Sequence, residues 1–347
     1  MEGISRPLAQ EVGSYTEGGE ARAPSDRPFF TIVIPMFNRE RFIGRALESC
    51  SRQTFGDWEA VVVDDCSCDG SAGVAARFPD SRVRLIRHEQ NRGVCPARSS
   101  GVDAARGAWL IFLDSDDELV PGSLQVMYDA ATRAASDVQR LVFSLTDEAG
   151  ALSPQPPLAN GVVWSYRQYV EWADQTTTRS DFMNCIRRSV FDSVSWPDGR
   201  ALEALFHFEL ARRFKTECRA EVTGIVHRDA QNHSRALNAD LRLRAAADRA
   251  GATLRLLHSH GEALRAWAPK SFAGFLRDAC VNSFMAGQWR SGINSALTLL
   301  RFRPFALSSW AALPLAISGR RGTARAIALK DRISRWQTAM RDRRSEG

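Results

Sequence analysis

The chain has 347 residues, 44% of them hydrophobic and 25% charged. At roughly 100–200 residues per domain the length suggests about two domains, and the composition excludes wholesale disorder and a collagen-like chain. The net charge of +6 is carried almost wholly by arginine, with lysine only at Lys215, Lys270 and Lys330; so mild an excess suits a phosphate-rich ligand, a nucleic acid or an anionic membrane surface without choosing among them.

Residues 1–28 are polar and rich in Gly, Ser, Glu and Pro, with no apolar stretch of the signal-peptide kind, and are expected to form a flexible leader. From Phe29 onward, buried-strand patterns alternate with helical ones. Phe29–Pro35 (FFTIVIP) is a continuous β-branched run, as in a strand covered on both faces. Asn38–Ser51 has helical periodicity. Trp58–Asp65 (WEAVVVDD) and Val83–His88 read as strands, and Gly93–Arg106 as a helix. Trp109–Leu113 (WLIFL) is a fourth strand. Pro121–Ala134 restarts a helix with proline at its first position, and Val138–Leu145 is a further strand.

After Ala149 the Pro-rich stretch SPQPPLANG reads as a loop. Val162–Asp174 and Ser180–Val190 are mixed in character, Ala201–Phe214 is a helix and Val222–His227 a short strand. Beyond Asn238 the pattern is helical, with Phe272–Gly287 and Arg290–Leu300 forming a hairpin hinged at Gly287. The last segment, Thr323–Arg343, carries an apolar stripe edged with arginines, after an apolar Phe302–Ile317 that includes Trp310; it suits either an interfacial helix on anionic lipid or a packed helical cap. The apolar stretch Pro304–Ser318 is too short to span a bilayer and is broken by Pro314.

This alternation predicts a mostly parallel α/β sheet whose ligand lies beyond the carboxyl ends of the strands. Polar turns fall at those ends. Asp114-Ser115-Asp116-Asp117 follows WLIFL directly. Two carboxylates in D-x-D spacing suit Mg²⁺ or Mn²⁺ held against a diphosphate; otherwise they are acids at a helix N-terminus. Asp65, at the end of the second strand, suits a hydrogen bond to a base or ribose, whereas Asp69 suits a helix cap. In Pro35-Met36-Phe37-Asn38-Arg39, Phe37 either stacks on a nucleobase or belongs to the core, and Asn38 caps the next helix. In Asn91-Arg92-Gly93-Val94-Cys95-Pro96-Ala97-Arg98, Gly93 suits a special backbone conformation, and Arg98 either meets a phosphate or is a solvated surface arginine. The seven cysteines show no CxxC spacing and are expected to be free thiols in a reducing cytosol.

The stretches TIVIPMFNRERFIGRALESCSRQTFGDWEAVVVDDCSCDGS and NRGVCPARSSGVDAARGAWLIFLDSDDELVPGSL resemble the inverting family 2 glycosyltransferases of the GT-A fold. The resemblance is dense over about residues 29–135 and thin to about 235. It implies a GT-A domain over 29–235, a Rossmann-like, mostly parallel sheet flanked by helices, followed by a helical C-terminal region over 236–347. It also implies a nucleotide-sugar donor, a UDP-sugar above others, with Mg²⁺ or Mn²⁺, and a glycan or lipid-linked acceptor in cell-surface polysaccharide or glycolipid synthesis. The donor-binding set would be Pro35, Phe37, Asn38, Asp65, Arg98, Asp114, Ser115 and Asp116, with Asp114 and Asp116 at the metal.

The family's general base lies in a Glu-Asp pair that opens a helix. Here a single acid, Glu203, stands in that region, with Asp198 and Glu209 as fallbacks. His227 and His233, in the variable segment with Arg228, Asn232 and Ser234, either touch the metal or a phosphate or are loop polar groups. The expected location is cytoplasmic, either free or peripheral on the cytoplasmic face of the membrane. The unpaired Glu203 leaves a second reading open, a degenerate nucleotide-sugar-binding or scaffold protein. A nucleotidyltransferase is disfavoured because no Gly-rich basic loop follows the first strand, a hydride-transferring Rossmann enzyme because no GxGxxG does, and a nucleic-acid role because no such motif appears.

Overall fold

The computed structural model describes residues 27–176, 181–198, 202–227 and 239–304, with backbone only over 239–244. The expected leader to residue 26, Arg228, Asn232, His233, Ser234, Trp310 and the arginine-edged stripe at 323–343 lie outside the described residues.

The runs FTIVIPM and WEAVVVD form β1 (Phe30–Met36) and β2 (Trp58–Asp64), and every residue of both is buried. With β3 (Val83–Arg87) and β4 (Trp109–Phe112) they make a parallel set in the order β3-β2-β1-β4. Helices α1 (Ile43–Ser51), α2 (Ser71–Ala76) and α3 (Val94–Ala104) connect them. α1 turns Ile43, Ala46, Leu47 and Cys50 onto the sheet, the i, i+3, i+4, i+7 face that its sequence predicts. α3 lies so close to β1 that a Cβ at Gly101 would overlap Val33.

Register decides where the loops emerge. Met36 pairs with Asp64, and Val33 with Phe112, so 37–40, 65–71 and 113–117 leave the sheet along one edge. This is the carboxyl edge at which such sheets bind ligands.

Beyond β4 come β5 (Glu118–Leu119), α4 (Ser123–Arg133), β6 (Val138–Asp147), β7 (Leu152–Ser153), β8 (Val162–Trp164), α5 (Tyr166–Gln175), β9 (Met183–Arg187), α6 (Glu203–Arg213) and β10 (Lys215–Val226). The sheet continues β4-β9-β6-β10-β5, with β9 antiparallel to both its neighbours. Three details depart from the sequence expectation. The mixed stretch 180–190 contains β9, a short strand that wedges into the sheet interior. The expected short strand at 222–227 begins seven residues earlier, at Lys215, and register shifts around Val222 break its pairing with β6. Pro121 precedes α4 rather than opening it, because Gly122 takes the left-handed N-cap position at φ 80°.

Helices α7 (Ala239–Trp267), α8 (Pro269–Met285) and α9 (Trp289–Phe302) form the C-terminal helical part, with Gly287 at φ 77° between the last two. Leu256, Leu264, Phe272, Leu276 and Leu299 join Tyr169, Val170 and Phe208 in one apolar cluster, which fastens these helices to α5 and α6. No described helix is long and apolar enough to cross a membrane.

One buried carboxylate ties the parallel half together. Glu59 of β2 accepts from Thr31 of β1 at 2.9 Å, from Arg106 N at 2.8 Å and from Arg84 of β3 at 3.0 Å. Burial opposes its charge, but the Arg106 and Thr31 hydrogen bonds and the Arg84 charge hold its pKa below the ordinary value. A group that ionises more readily in the folded chain stabilises fully above its unfolded pKa, and that stabilisation is lost as the pH falls through the folded one. Glu59→Gln should therefore cost about 1.5–3 kcal/mol near pH 7, and the gap to wild type should shrink at pH 3, both read from denaturant midpoints. A gap that does not change with pH would contradict this.

Candidate active site

The first strand-end loop is stitched to the second. Asn38 sits at φ 53°. Its side-chain Oδ1 accepts from Cys68 N at 2.9 Å, and its backbone N–H donates to Ser67 Oγ at 2.9 Å. Arg39 N donates to Ser71 Oγ at 2.7 Å. Asp69 accepts from Ser71 N at 3.0 Å, at the start of α2. Asn38 thus shapes the loop. It neither caps α1, whose N-cap is Phe42, nor lines the adjoining cavity.

Asp65 is buried and organises the loop that follows β3. One carboxylate oxygen accepts from Arg92 N at 2.9 Å and meets His88 Nδ1 at 2.8 Å, and the other accepts from Gly93 N at 2.7 Å. Gly93 has φ 99°, a conformation that a side chain would strain. The loop therefore depends on Asp65 and on a glycine opposite it.

Asp114, Ser115, Asp116 and Asp117 turn sharply after β4, with Asp117 N donating to Asp114 O at 3.0 Å. Arg39 Nε lies 3.7 Å from the Asp116 carboxylate, and Arg45 donates to the Asp116 carbonyl at 2.6 Å. Burial, and then the Asp114 charge, push the Asp116 carboxyl above its ordinary range. The same causes push Asp117 up to about 8, although His227 N donates to it at 3.0 Å. A pair of crowded carboxylates is short of positive charge.

Arg98, on α3, supplies part of that charge. Its guanidinium donates to Asp114 at 2.9 Å and to Glu203, the first residue of α6. Its side chain is 8% exposed against 53% for Asp114 and 42% for Glu203, so a buried cation holds two open carboxylates. Burial works against its charge, but Glu203 and Asp114 together raise its pKa. The Trp196 ring lies 5.0 Å from the guanidinium carbon and is itself stacked on Phe206 at 3.9 Å.

Two cavities meet at this arginine. One, of about 390 Å³, is lined by Pro35, Phe37, Asp65, Arg98, Asp114, Ser115, Asp116 and Glu203 among others. All the donor-site residues expected from the sequence except Asn38 are among them. The second, of about 550 Å³, shares Arg98, Asp114, Asp116 and Glu203 and extends over Tyr169, Trp172, Phe182, Trp196, Phe208 and Phe275. Glu203 faces both. The fallback acids do not: Glu209 is engaged by Arg212 at 2.8 Å, and both it and Asp198 line a different cavity. His227 borders the second cavity, but carboxylates hold its ring on both sides, Glu118 at 2.8 Å and Glu148 at 2.5 Å. The roles of Arg39, Arg45, Asp117 and Trp196 were missed in the sequence. Arg39 and Asp117 stand within the quoted motifs, whereas nothing local marks Arg45 or Trp196.

Among the described residues no three His, Cys, Asp or Glu side chains converge as a complete metal cage. The crowded Asp114–Asp116 pair still fits Mg²⁺ or Mn²⁺, which commonly takes one or two carboxylates and completes its shell with substrate phosphates and water.

Asp65→Ala should release the loop it ties. The Arg92 and Gly93 amides should lose roughly tenfold or more in hydrogen-exchange protection, as expected for losing a charge-assisted bond worth about 1.5–3 kcal/mol, while the β4 amides keep theirs. Unchanged exchange at both amides would contradict the assignment.

Residues 31–195 match the family model described as Glycosyl transferase family 2. Over 111 residues the chain is 43% identical to the succinoglycan biosynthesis protein ExoO of Rhizobium meliloti (strain 1021), which is 32% of each protein. Over 96 residues it is 34% identical to the UDP-Glc:alpha-D-GlcNAc-diphosphoundecaprenol beta-1,3-glucosyltransferase WfgD of Escherichia coli, covering 28% of this chain and 38% of that one. The matched stretches span only about a third of these relatives, 32% and 38%. Among solved structures, S. aureus TarS 1-349 in complex with UDP-GlcNAc shares the fold, with a TM-score of 0.56 over 87% of this chain and 92% of that one at 17% identity. Residues 31–195 thus form a glycosyltransferase family 2 segment, carried on a GT-A fold with a helical C-terminal extension.

Proposed function

We propose that the chain transfers a sugar from a nucleotide-sugar donor to a hydroxyl of a glycan or lipid-linked acceptor, with inversion, in the synthesis of a cell-surface polysaccharide or glycolipid. The observation that carries this reading is the wall shared by the two cavities, where Arg98 holds Glu203 beside Asp114. A donor in the smaller cavity and an acceptor in the larger would meet at Glu203.

In the donor cavity, Phe37 offers an aromatic face to the base. Asp65 accepts from the base or ribose with lone pairs left over from its loop bonds. A UDP-sugar is the favoured donor: WfgD is named for UDP-Glc and the TarS 1-349 complex holds UDP-GlcNAc. A divalent cation, Mg²⁺ or Mn²⁺, held by Asp114 and Asp116 would supply positive charge to the departing diphosphate. Arg39, near Asp116, adds a cation on the same side.

Glu203 removes the proton of the acceptor hydroxyl as that oxygen attacks the anomeric carbon and the nucleoside diphosphate leaves. Arg98 fixes the direction of the Glu203 oxygens through its fork. Direct displacement needs no carboxylate nucleophile and inverts the anomeric centre. The catalytic unit would span 29–235. The region from 236 would be a helical extension, and its basic end would bring a cytoplasmic enzyme to an anionic membrane surface, where a lipid-linked acceptor resides.

Glu203→Gln keeps the shape of the wall and removes the base. Sugar transfer should fall by about 10²–10⁴, while nucleoside diphosphate binding, followed by calorimetry, stays within about twofold of wild type. Turnover at the wild-type level in this variant would overturn the assignment of the base.

A further inference from the structure

The larger cavity has an unusual wall. Behind it lies Arg140, on β6, the largest fully buried side chain among the described residues, with 0% exposure. Its Nε and Nη2 donate to Asn184 Oδ1 at 2.9 and 2.7 Å, and Nη2 lies 3.3 Å from His207 Nδ1. The guanidinium carbon is 4.9 Å from the Phe182 ring centre and 5.8 Å from that of Tyr169. Nη1 makes no close hydrogen bond; the guanidinium and the Tyr169 hydroxyl attract one another, but no carboxylate pairs with this arginine among the described residues. All four of these neighbours, Tyr169, Phe182, Asn184 and His207, line the cavity. An arginine buried without a counter-ion is costly.

Hydrogen-bond polarity then follows from the guanidinium, which can only donate. The Asn184 oxygen is taken by Arg140. Its Nδ2 group is left as a donor with only a long 3.4 Å contact to Phe182 O. His207 Nδ1 must accept, so the proton of the neutral ring sits on Nε2. Burial first, then the Arg140 and Arg98 charges, hold that ring neutral by lowering its pKa well below the ordinary value. One buried cation therefore turns two cavity-lining side chains into donors and lends them its positive field.

We propose that Arg140, acting through Asn184 and His207, makes this end of the cavity a subsite for an anionic oxygen group on the acceptor, a sugar carboxylate or a phosphate. The inference rests on reading the larger cavity as the acceptor side. Asp114, Asp116, Asp117, Asp181 and Glu203 also line this cavity and repel an anion from their side, whereas the Asn184 and His207 donors, backed by Arg140, attract one beside aromatic faces that suit a sugar ring.

The test uses the full chain and three probes, methyl glucuronide, glucose 6-phosphate and methyl glucoside, with binding read by saturation-transfer NMR titration in the presence of UDP and Mg²⁺. Wild type should bind at least one anionic probe about tenfold or more tightly than the neutral glucoside. Tight binding of the glucuronide alone assigns a carboxylate, and of glucose 6-phosphate alone a phosphate. Asn184→Asp gives Arg140 a carboxylate within the same shape and should erase the preference; Arg140→Met should do likewise, and if it fails to fold, Asn184→Asp decides. Equal binding of charged and neutral probes by wild type, or a preference that survives Asn184→Asp, would overturn the proposal. UDP binding in the same samples reports on the donor cavity separately, so loss of UDP binding with the anion preference intact would count against the proposed reaction and not against this subsite.

Discussion

A single buried guanidinium, that of Arg98, joins three parts of the chain that are distant in sequence. It is carried by α3, which the tight Gly101–Val33 contact presses onto β1. It reaches Asp114 at the end of β4 and Glu203 at the start of α6, 105 residues away. Without it, Asp114 and Glu203 would face each other across the cavity wall as unpaired like charges. With it, the wall carries two carboxylates of fixed direction, both of which border both cavities. Arg140 does the reverse behind the larger cavity, where a buried cation has no paired carboxylate among the described residues.

The sheet makes that meeting possible. Parallel pairing of β1 with β2 and β4 brings three strand-end loops to one edge, and the loops are then tied by side chains rather than by further sheet. Asn38 joins the first loop to the second, and Asp65 joins the second strand to the 91–93 loop. Each tie uses a polar group that would otherwise be free to bind a ligand, so part of the polar inventory at this edge is structural. The C-terminal helices act at one remove. They share an apolar cluster with α5 and α6, and so support the aromatic side of the larger cavity and the helix that carries Glu203.

Much of this was legible in the chain itself. Strands covered on both faces read as uninterrupted apolar runs, and an acid straight after such a run, as at Asp65 and Asp114, can only lie at the sheet edge. Asn38 shows the limit of that argument: in the sequence a polar residue in a strand-end loop reads as a ligand group or a helix cap, whereas its left-handed backbone and its bond to Cys68, which tie the loop, leave no local trace. β9 escaped because five residues of mixed polarity carry no period, and its place between β4 and β6 is a long-range fact. Arg98 was legible as a cation near a helix start, but its two partners were not, since pairing across 105 residues leaves no local trace. Arg140 left no signal, because an arginine in a strand pattern reads as an exposed edge residue.

The central claim, that the edge formed by Asp65, Asp114 and Asp116 binds a nucleotide diphosphate with a divalent cation, is tested most directly by thermal stabilisation of the full chain against a panel of nucleoside diphosphates, with and without Mg²⁺ or Mn²⁺. A ligand at 100 times its Kd adds about 2.7 kcal/mol to the folded state. The account predicts a shift with one nucleoside diphosphate that requires the cation and disappears in Asp116→Ala. No shift with any of them, on protein that unfolds cooperatively, would contradict it.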